Sequence, residues 1–218
     1  MSAILRKWKQ QSIDWHDLTT QAKLGHLQEH LQEEDEITYI DKGGIARTAV
    51  AAKVTPTGAL FILKDIAFDR KMYDSLDGTL LSWEGSDLRR ELNTVELANL
   101  PDDLAAEITP RKITQVIAGG SITTEDKLWV PSATELFGKG HRYAACDGPD
   151  EEQLPIFKTE GDRVKDMDGE TWWYWTRSPL SSSTTYFCFV YNVGGHAYSS
   201  HATNANGVAF GFLIGSQI

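Results

Sequence analysis

The sequence predicts an α+β fold with short helices and an irregular antiparallel sheet. Apolar residues recur at helical spacing in residues 3–34 and again in residues 86–100. Short strand-like segments separated by turns occupy residues 37–66. Residues 178–218 are rich in Ser, Thr, Tyr, Asn and Gly but keep regular apolar positions, which is typical of short strands and tight turns.

Composition indicates one fairly large globular domain. The 218 residues are 41% hydrophobic and 10% aromatic, which is enough for a real core. A formal net charge of -10 argues against a nucleic-acid partner, because phosphate binding needs clustered Lys and Arg. No apolar run reaches the roughly 18 residues of a membrane span. The first residues lack the apolar core of a signal peptide, so we expect synthesis in the cytoplasm.

Residues 1–36 are predicted to form a helical extension that precedes a domain at residues 37–218. Helical structure is expected over residues 3–34, with Asp14 or Asp17 as a cap for the second half of this stretch. Further strands are expected at 37–40, 46–54, 59–66, 113–118 and 127–130. Further helices are expected at 86–100, opened by Ser86, between Pro101 and Pro110, and at 133–137 before Gly138.

The strongest change in composition comes after Arg177. Residues 178–218 contain no Asp, Glu, Lys or Arg, although these four types form 24% of the chain. Residues 1–177 therefore carry the whole net charge. The tract is too apolar and too regular for a disordered tail, as five of its residues show: Phe187, Val190, Val208, Phe210 and Phe212.

Five segments resemble a family of bacterial and phage proteins with a C-type-lectin-like fold (DUF6273-like). Residues 174–179, Tyr-Trp-Thr-Arg-Ser-Pro, resemble its W-x-R-S-P element, and residues 87–93 resemble its helix. Residues 124–132 resemble its T-x-D-K-L-F-L-P-S strand entry, and residues 187–190 and 207–212 its closing strands. The likeness covers residues 37–214 in the right order. It implies a C-type-lectin-like fold similar to that of formylglycine-generating enzymes.

Some members of this family are the variable proteins of diversity-generating retroelements, in which adenine-directed mutagenesis rewrites a C-terminal cassette. Randomising both adenines of an AAC codon cannot produce Lys, Glu, Gln, Trp or Met. Every residue from 180 to 207 belongs to the set that such codons can reach. Tyr supplies a large contact area at low entropic cost, and Ser, Asn and Gly supply adaptable hydrogen bonding. The resemblance therefore implies a diversified recognition surface at residues 180–207.

Alternation along this tract separates scaffold from surface. The family pattern fixes Phe187, Cys188 and Val190 and, after Gly195, the small residues Ala197 and Ala202. We place Cys188 and Val190 in the core. Phe187 breaks strict alternation, so a bulge or a strand end is expected near it. The variable positions are the predicted ligand-binding residues: Phe189, Tyr191, Val193, His196, Tyr198, Ser200, His201, Asn204 and Asn206.

A broad, uncharged face that carries tyrosines predicts a macromolecular ligand, either a protein or a glycan surface, rather than a small molecule. The alternative is a structural phage or cell-surface subunit that uses the tract for assembly. A homo-oligomer formed through the N-terminal segment stays open, as does a place on a phage particle or at the cell surface. The predicted scaffold core comprises Leu92, Leu128, Trp129, Phe187, Val190, Val208 and Phe210.

Other candidate sites are interpreted as structural. Arg177 is expected to be a buried fork that ties loops together. At least two of the three tryptophans at 172, 173 and 175 are expected in the core, rather than all in a ligand groove. His196 and His201 lack a third metal ligand nearby and are expected as surface contacts.

The acidic residues of loop 147–152 could hold calcium, but a solvated loop is preferred. An enzyme is not expected, because the formylglycine reaction needs a close pair of copper-binding cysteines. The cysteines here, Cys146 and Cys188, are predicted to be separate thiols. No cofactor is expected.

Overall fold

A computed structural model describes residues 14–118, 120–181 and 183–218 and confirms the α+β class. The helical segments are α1 Trp15–Leu24, a 3-10 turn Leu27–Glu29, α2 Asp87–Glu91, a π-helical turn Leu92–Glu96, α3 Leu97–Asn99, α4 Asp102–Glu107, α5 Ala133–Phe137 and a 3-10 turn Gly161–Arg163. The first seven strands are β1 Glu36–Ile40, β2 Ala46–Val54, β3 Gly58–Leu63, β4 Phe68–Lys71, β5 Ile108–Thr109, β6 Arg111–Ile117 and β7 Gly120–Asp126. The remaining strands are β8 Lys165–Met167, β9 Glu170–Trp172, β10 Tyr174–Pro179, β11 Tyr186–Val190, β12 Ala197–His201, β13 Ala205–Val208 and β14 Gly211–Gly215.

Two five-stranded sheets form the body of the molecule. Their strand orders are β1-β2-β3-β14-β5 and β12-β11-β10-β13-β4, and the hairpins β6-β7 and β8-β9 lie beside them. The pairing is antiparallel except between β10 and β13, which run parallel. The charge-free C-terminal tract supplies strands to both sheets, so it closes the fold rather than trailing from it.

The N-terminal helix packs into the same core as the sheets. The Trp15 ring meets Phe61 and Phe212 edge-on, with ring centroids 5.7 Å apart in each case. Asp14 caps the helix, since its side chain accepts a hydrogen bond from the His16 N–H. Residues 1–13 lie outside the described residues, so the predicted start of the helix at residue 3 is not addressed.

The predicted extent of that helix is wrong after Leu24. Gly25 adopts φ 78°, a left-handed conformation that suits glycine, and its N–H closes the helix on the Ala22 carbonyl. Leu27 and Leu31 are nevertheless buried, as their helical spacing suggested, because the 3-10 turn and the loop after it follow the same surface. The apolar spacing therefore predicted burial correctly at these two residues, although it predicted helical structure wrongly.

The predicted strand at residues 127–130 is also wrong. Trp129 forms an isolated bridge with Gly211, and the preceding residues bond to a side chain instead of to a strand. Asn93 Oδ1 accepts from the Lys127 and Leu128 N–H groups at 2.8 and 3.1 Å, and Asn93 Nδ2 donates to the Leu128 carbonyl. A helical side chain thus satisfies main-chain groups that a neighbouring strand would otherwise have taken.

Most other predicted elements are confirmed within two or three residues. Ser86 and Ser132 cap α2 and α5 through their side chains, and Ser132 forms a capping box with Glu135. Gly138 ends α5. All the predicted scaffold residues are buried: Leu92, Leu128, Trp129, Phe187, Val190, Val208 and Phe210.

Candidate recognition surface

The predicted surface is built on the hairpin of β11 and β12. The register pairs Phe187 with Ser200 and Phe189 with Tyr198, so these four side chains share one face of the hairpin. Cys188 and Val190 lie on the other face, opposite Ser199 and Ala197. The hairpin therefore has two different faces, and the exposed side chains of Tyr191 and Tyr198 identify the one that faces solvent.

One face carries a cluster of partly exposed aromatic rings. Tyr198 lies between Tyr191 and Phe189, with ring centroids 5.5 and 6.2 Å away. Tyr198 is 52% exposed and Tyr191 39%, whereas Phe189 is half-buried beneath them. Val193, 65% exposed, follows in the turn that joins the strands. Neighbouring rings restrict Tyr198, so fixing its side chain on binding costs little rotamer entropy, and this suits contact with another molecule.

The scaffold positions of the hairpin are buried as predicted. Phe187, Cys188, Val190, Ala197 and Ala202 all lie in the interior. The pairing of β10 with β11 shifts register between Trp175 and Pro179, opposite the Phe189–Phe187 stretch, so the irregularity expected near Phe187 is present.

Phe187 is buried because Tyr73 covers it, although by alternation it belongs to the face of Phe189. The Phe187 ring centroid lies 6.1 Å from that of Tyr73 and 6.5 Å from that of Trp175. Tyr186, at the start of β11, points to the opposite face and is 40% exposed, and sequence reasoning missed it. The break in alternation at Phe187 was the signal that could have identified Tyr186.

The two histidines occupy different surroundings. His201 packs edge-on against Tyr186 at 5.6 Å, on the face opposite Tyr198, and its Nδ1 lies 2.8 Å from the Thr203 hydroxyl. His196 is exposed, and its Nδ1 lies 3.3 Å from Glu160 Oε1. Among the described residues, no group of three or more His, Cys, Asp or Glu could hold a metal ion.

The asparagines of the candidate set separate. Asn204 is exposed and donates to the Ser200 hydroxyl at 3.2 Å, which places both at one end of the surface. Asn206 is 4% exposed, so the prediction that it lies on the surface is wrong. Its strand, β13, runs between β10 and β4, with Asn206 opposite Arg70, so strands flank it on both sides.

Arg177 anchors the base of the hairpin, as the sequence predicted. Its side chain is 1% exposed and its Nη1 donates to the Val130 carbonyl at 2.8 Å and to Glu135 Oε2 at 2.6 Å. Nη2 forms an ion pair with Glu151 Oε1 at 2.8 Å. The Arg177 N–H also donates to the Pro131 carbonyl. One side chain thus holds β10, α5 and the acidic loop in fixed positions.

Glu135 is the carboxylate at the centre of this network. Its Oε1 lies 2.5 Å from Arg111 Nη2, and its Oε2 accepts from Arg177 and from the Ser132 N–H. Burial alone would raise the pKa of Glu135, but Arg111 and Arg177 outweigh it and lower that pKa to about 2. The carboxylate is therefore ionised and paired across the ordinary pH range.

Asp147 is a buried acid in the opposite electrostatic situation. Its carboxylate accepts from the Thr134 N–H at 2.8 Å, from the Thr134 hydroxyl at 2.9 Å and from the Ser178 hydroxyl. Burial, followed by repulsion from Glu151, raises the pKa of Asp147 to about 6. Asp147 is thus the group in the network whose charge changes closest to neutral pH.

The acidic loop is only partly solvated, which corrects the preferred interpretation of residues 147–152. Asp150 and Glu152 are exposed, but Asp147 is buried, and Glu151 accepts from Ser132 and pairs with Arg177. These carboxylates already have protein partners. They fasten the loop under the hairpin.

The tryptophans divide between core and surface. Trp175 is fully buried and its Nε1 donates to the Arg70 carbonyl at 2.7 Å. Trp172 and Trp173 are half-buried and stack on each other with centroids 4.5 Å apart, and Trp172 packs against the main core. Cys146 and Cys188 are both buried free thiols, and burial raises the pKa of each.

Comparison with known proteins gives one match. A family model described as a domain of unknown function, DUF6273, matches residues 57–214, which include α2, α5 and strands β4 to β13. No curated protein and no solved structure matches the chain. Within the described residues, no helix has the length and apolar character needed to cross a membrane.

Proposed function

We propose that this chain, which belongs to the DUF6273 family, is a non-enzymatic ligand-display protein of C-type-lectin-like fold. The observation that carries the proposal is the exposed cluster of Tyr191, Val193 and Tyr198 on an uncharged tract whose other residues close the core. Exposed aromatic rings of this kind are typical of recognition surfaces, because they bring large contact areas with few rotatable bonds.

The support beneath the cluster favours recognition over an accidental exposure of apolar residues. Buried residues of β11 and the Arg177 network fix the backbone of the hairpin. A binding surface gains affinity when its supporting shell is rigid, since less freedom is lost on association. Of the nine predicted contact residues, Asn206 is buried and His201 lies on the opposite face of the hairpin, so seven stay in the proposed surface: Phe189, Tyr191, Val193, His196, Tyr198, Ser200 and Asn204.

The proposal includes diversification of this surface by a retroelement. Its basis is that residues 180–207 are all reachable from AAC codons, and that buried and exposed positions interleave along β11 and β12. Buried positions keep the fold while exposed positions are free to change. Such a protein would act on a phage particle or at a bacterial cell surface, where a protein or glycan surface is its ligand.

The DNA around the gene tests the diversification. A near-duplicate of the segment encoding residues 175–214 should lie close by, beside a reverse transcriptase gene. The two copies should differ almost only at adenines of the duplicate, and the differences should fall in codons of the exposed residues. A neighbourhood without the duplicate and without the reverse transcriptase gene would end this part of the proposal.

Oligomeric state separates display from the alternative role as an assembly subunit. A display protein should keep the same mass by light scattering when Tyr191 and Tyr198 are both replaced by Ala. A subunit that assembles through the tract should form concentration-dependent oligomers, and these should be lost in the same double variant. The second outcome would replace the display function by an assembly function.

A further inference from the structure

The strand at the edge of the recognition surface leaves main-chain groups unpaired. β12 is the terminal strand of its sheet. The Tyr191 N–H donates to the His196 carbonyl and the Ala202 N–H to the Thr185 carbonyl. Since bonded and unbonded positions alternate in an antiparallel ladder, the N–H and C=O groups of the even-numbered residues of β12 point toward β11. The N–H and C=O groups of Ala197 and Ser199 therefore point away from the sheet.

This edge lacks three features that natural sheets use to block further pairing, namely proline, charged side chains and a bulge. Residues 197–201 contain no proline and no charged side chain, and their register with β11 has no bulge. Among the described residues, the main-chain groups of Ser199 have no hydrogen-bond partner outside that ladder. At the far end, the His201 carbonyl accepts from the Asn204 N–H, which limits the open edge to residues 197–201.

An aromatic ledge lies beside the edge, on the face opposite Tyr198. We use that name for Phe137, His141 and Tyr143, whose rings follow one another at 4.8 and 5.7 Å. Phe137 and Tyr143 pack against a buried cluster of Ala133, Cys188 and Ala197, and Ala197 is the first residue of β12. All three rings are partly exposed. A strand added beyond β12 would place every second side chain over this ledge.

We infer that β12 binds an extended segment of a partner polypeptide, which adds a sixth strand to the sheet. The main chain of the segment pairs with residues 197–201, and its alternate apolar side chains contact Phe137, His141 and Tyr143. The inference rests on the proposed display function and narrows its ligand to a polypeptide. A glycan does not repeat N–H and C=O groups at strand spacing, whereas every extended peptide does.

Charge favours a partner over a second copy of the chain. Each copy carries a formal net charge of -10, all of it outside the uncharged tract. Two copies joined at β12 would bring these charges together, and like-charge approach lowers both association rate and affinity. A neutral or basic segment meets no such repulsion.

Peptide selection followed by N-methylation tests the inference without altering the protein. A phage-displayed library of linear nine-residue peptides is selected against the whole chain, and the selected peptide is labelled with fluorescein for polarisation measurements. Methyl groups on the amides that pair with β12 should weaken binding by more than about tenfold, and methyl groups on the intervening amides by less than about threefold. Failure to select any peptide, or equal weakening by both methylation series, overturns the inference.

Two variants of Ser199 provide the matched experiment on the protein. Ser199→Pro removes an outward N–H and keeps the bonds of Tyr198 and Ser200 to β11, so peptide binding should fall while circular dichroism stays unchanged. Ser199→Ala should bind like the parent. If Ser199→Pro unfolds, the methylation series decides. Peptides that bind through Tyr191 and Tyr198 but survive both tests would refute strand addition and leave the display function standing. A parent dimer that Ser199→Pro dissociates would instead identify a second copy as the occupant.

Discussion

Replacement of Arg177 by Met should destabilise the fold strongly, because the guanidinium pairs with two carboxylates in the interior. Glu151 loses the cation that lies 2.8 Å away, and Glu135 keeps Arg111 but loses a hydrogen bond of 2.6 Å. The Val130 carbonyl also loses its donor. Met fills a similar volume without replacing any of these contacts, so the expected cost is electrostatic rather than a cavity.

The magnitude follows from the burial of the network. Removing one partner of a buried ion pair costs about 3–5 kcal/mol. A lost hydrogen bond to a buried carbonyl costs about 1 kcal/mol, and most of that cost is already included in the first figure. For a domain of this size each kcal/mol lowers Tm by about 2–4 °C. Arg177→Met should therefore lower Tm by about 6–20 °C.

Urea unfolding followed by tryptophan fluorescence, together with calorimetry, measures the effect. Arg90→Met is the matched control, because Arg90 is exposed and should lose no more than about 0.5 kcal/mol. Adding Glu151→Gln to Arg177→Met should recover part of the loss, since the orphaned charge is then absent. A loss below about 1 kcal/mol, equal to that of the control, would refute the view that this network holds the hairpin.

Three further predictions concern surface, pH and reagents. Replacing Tyr191, Tyr198 and His201 together by Ala should cost only about 0.5 kcal/mol of stability each and so lower Tm little. Val190→Asp should cost several kcal/mol, because it buries a charge. Melting curves of the two variants test the difference. The raised pKa of Asp147 means that the folded state favours the protonated acid. The resulting stabilisation is complete below about pH 3.8 and is lost as pH rises through about 6. Between pH 4 and 7 the parent should lose on the order of 2 kcal/mol relative to Asp147→Asn, and parallel pH profiles would contradict this. EDTA and reductant should leave the melting transition in place; a fall of many degrees with either would show a metal or disulfide contribution.

Local sequence determined the elements whose signals are short-range. Ser86 predicted the start of α2, because a capping hydroxyl acts within three residues of its own position. The sequence also separated the buried Cys188 and Val190 from the exposed Tyr191, since alternation in a strand with one covered face leaves little choice.

The whole fold was needed where a distant residue changed the local outcome. Phe187 is buried although it shares a face with Tyr198, because Tyr73 covers it. Asn206 is buried in a strand that pairs with β4, which is far away in the chain. No window of sequence around these residues contains the neighbour that decides their exposure.

Arg177 combines both kinds of information. Its place in the W-x-R-S-P element marked it as a buried fork, because a guanidinium suits several oxygen acceptors at once. Which acceptors it meets was decided by tertiary structure: Glu135 comes from α5 and Glu151 from the acidic loop. Sequence alone thus determined the residue types of the scaffold and of the surface. Only folding decided which carboxylates became buried partners and which strand edge stayed open, because both depend on contacts between segments far apart in the chain.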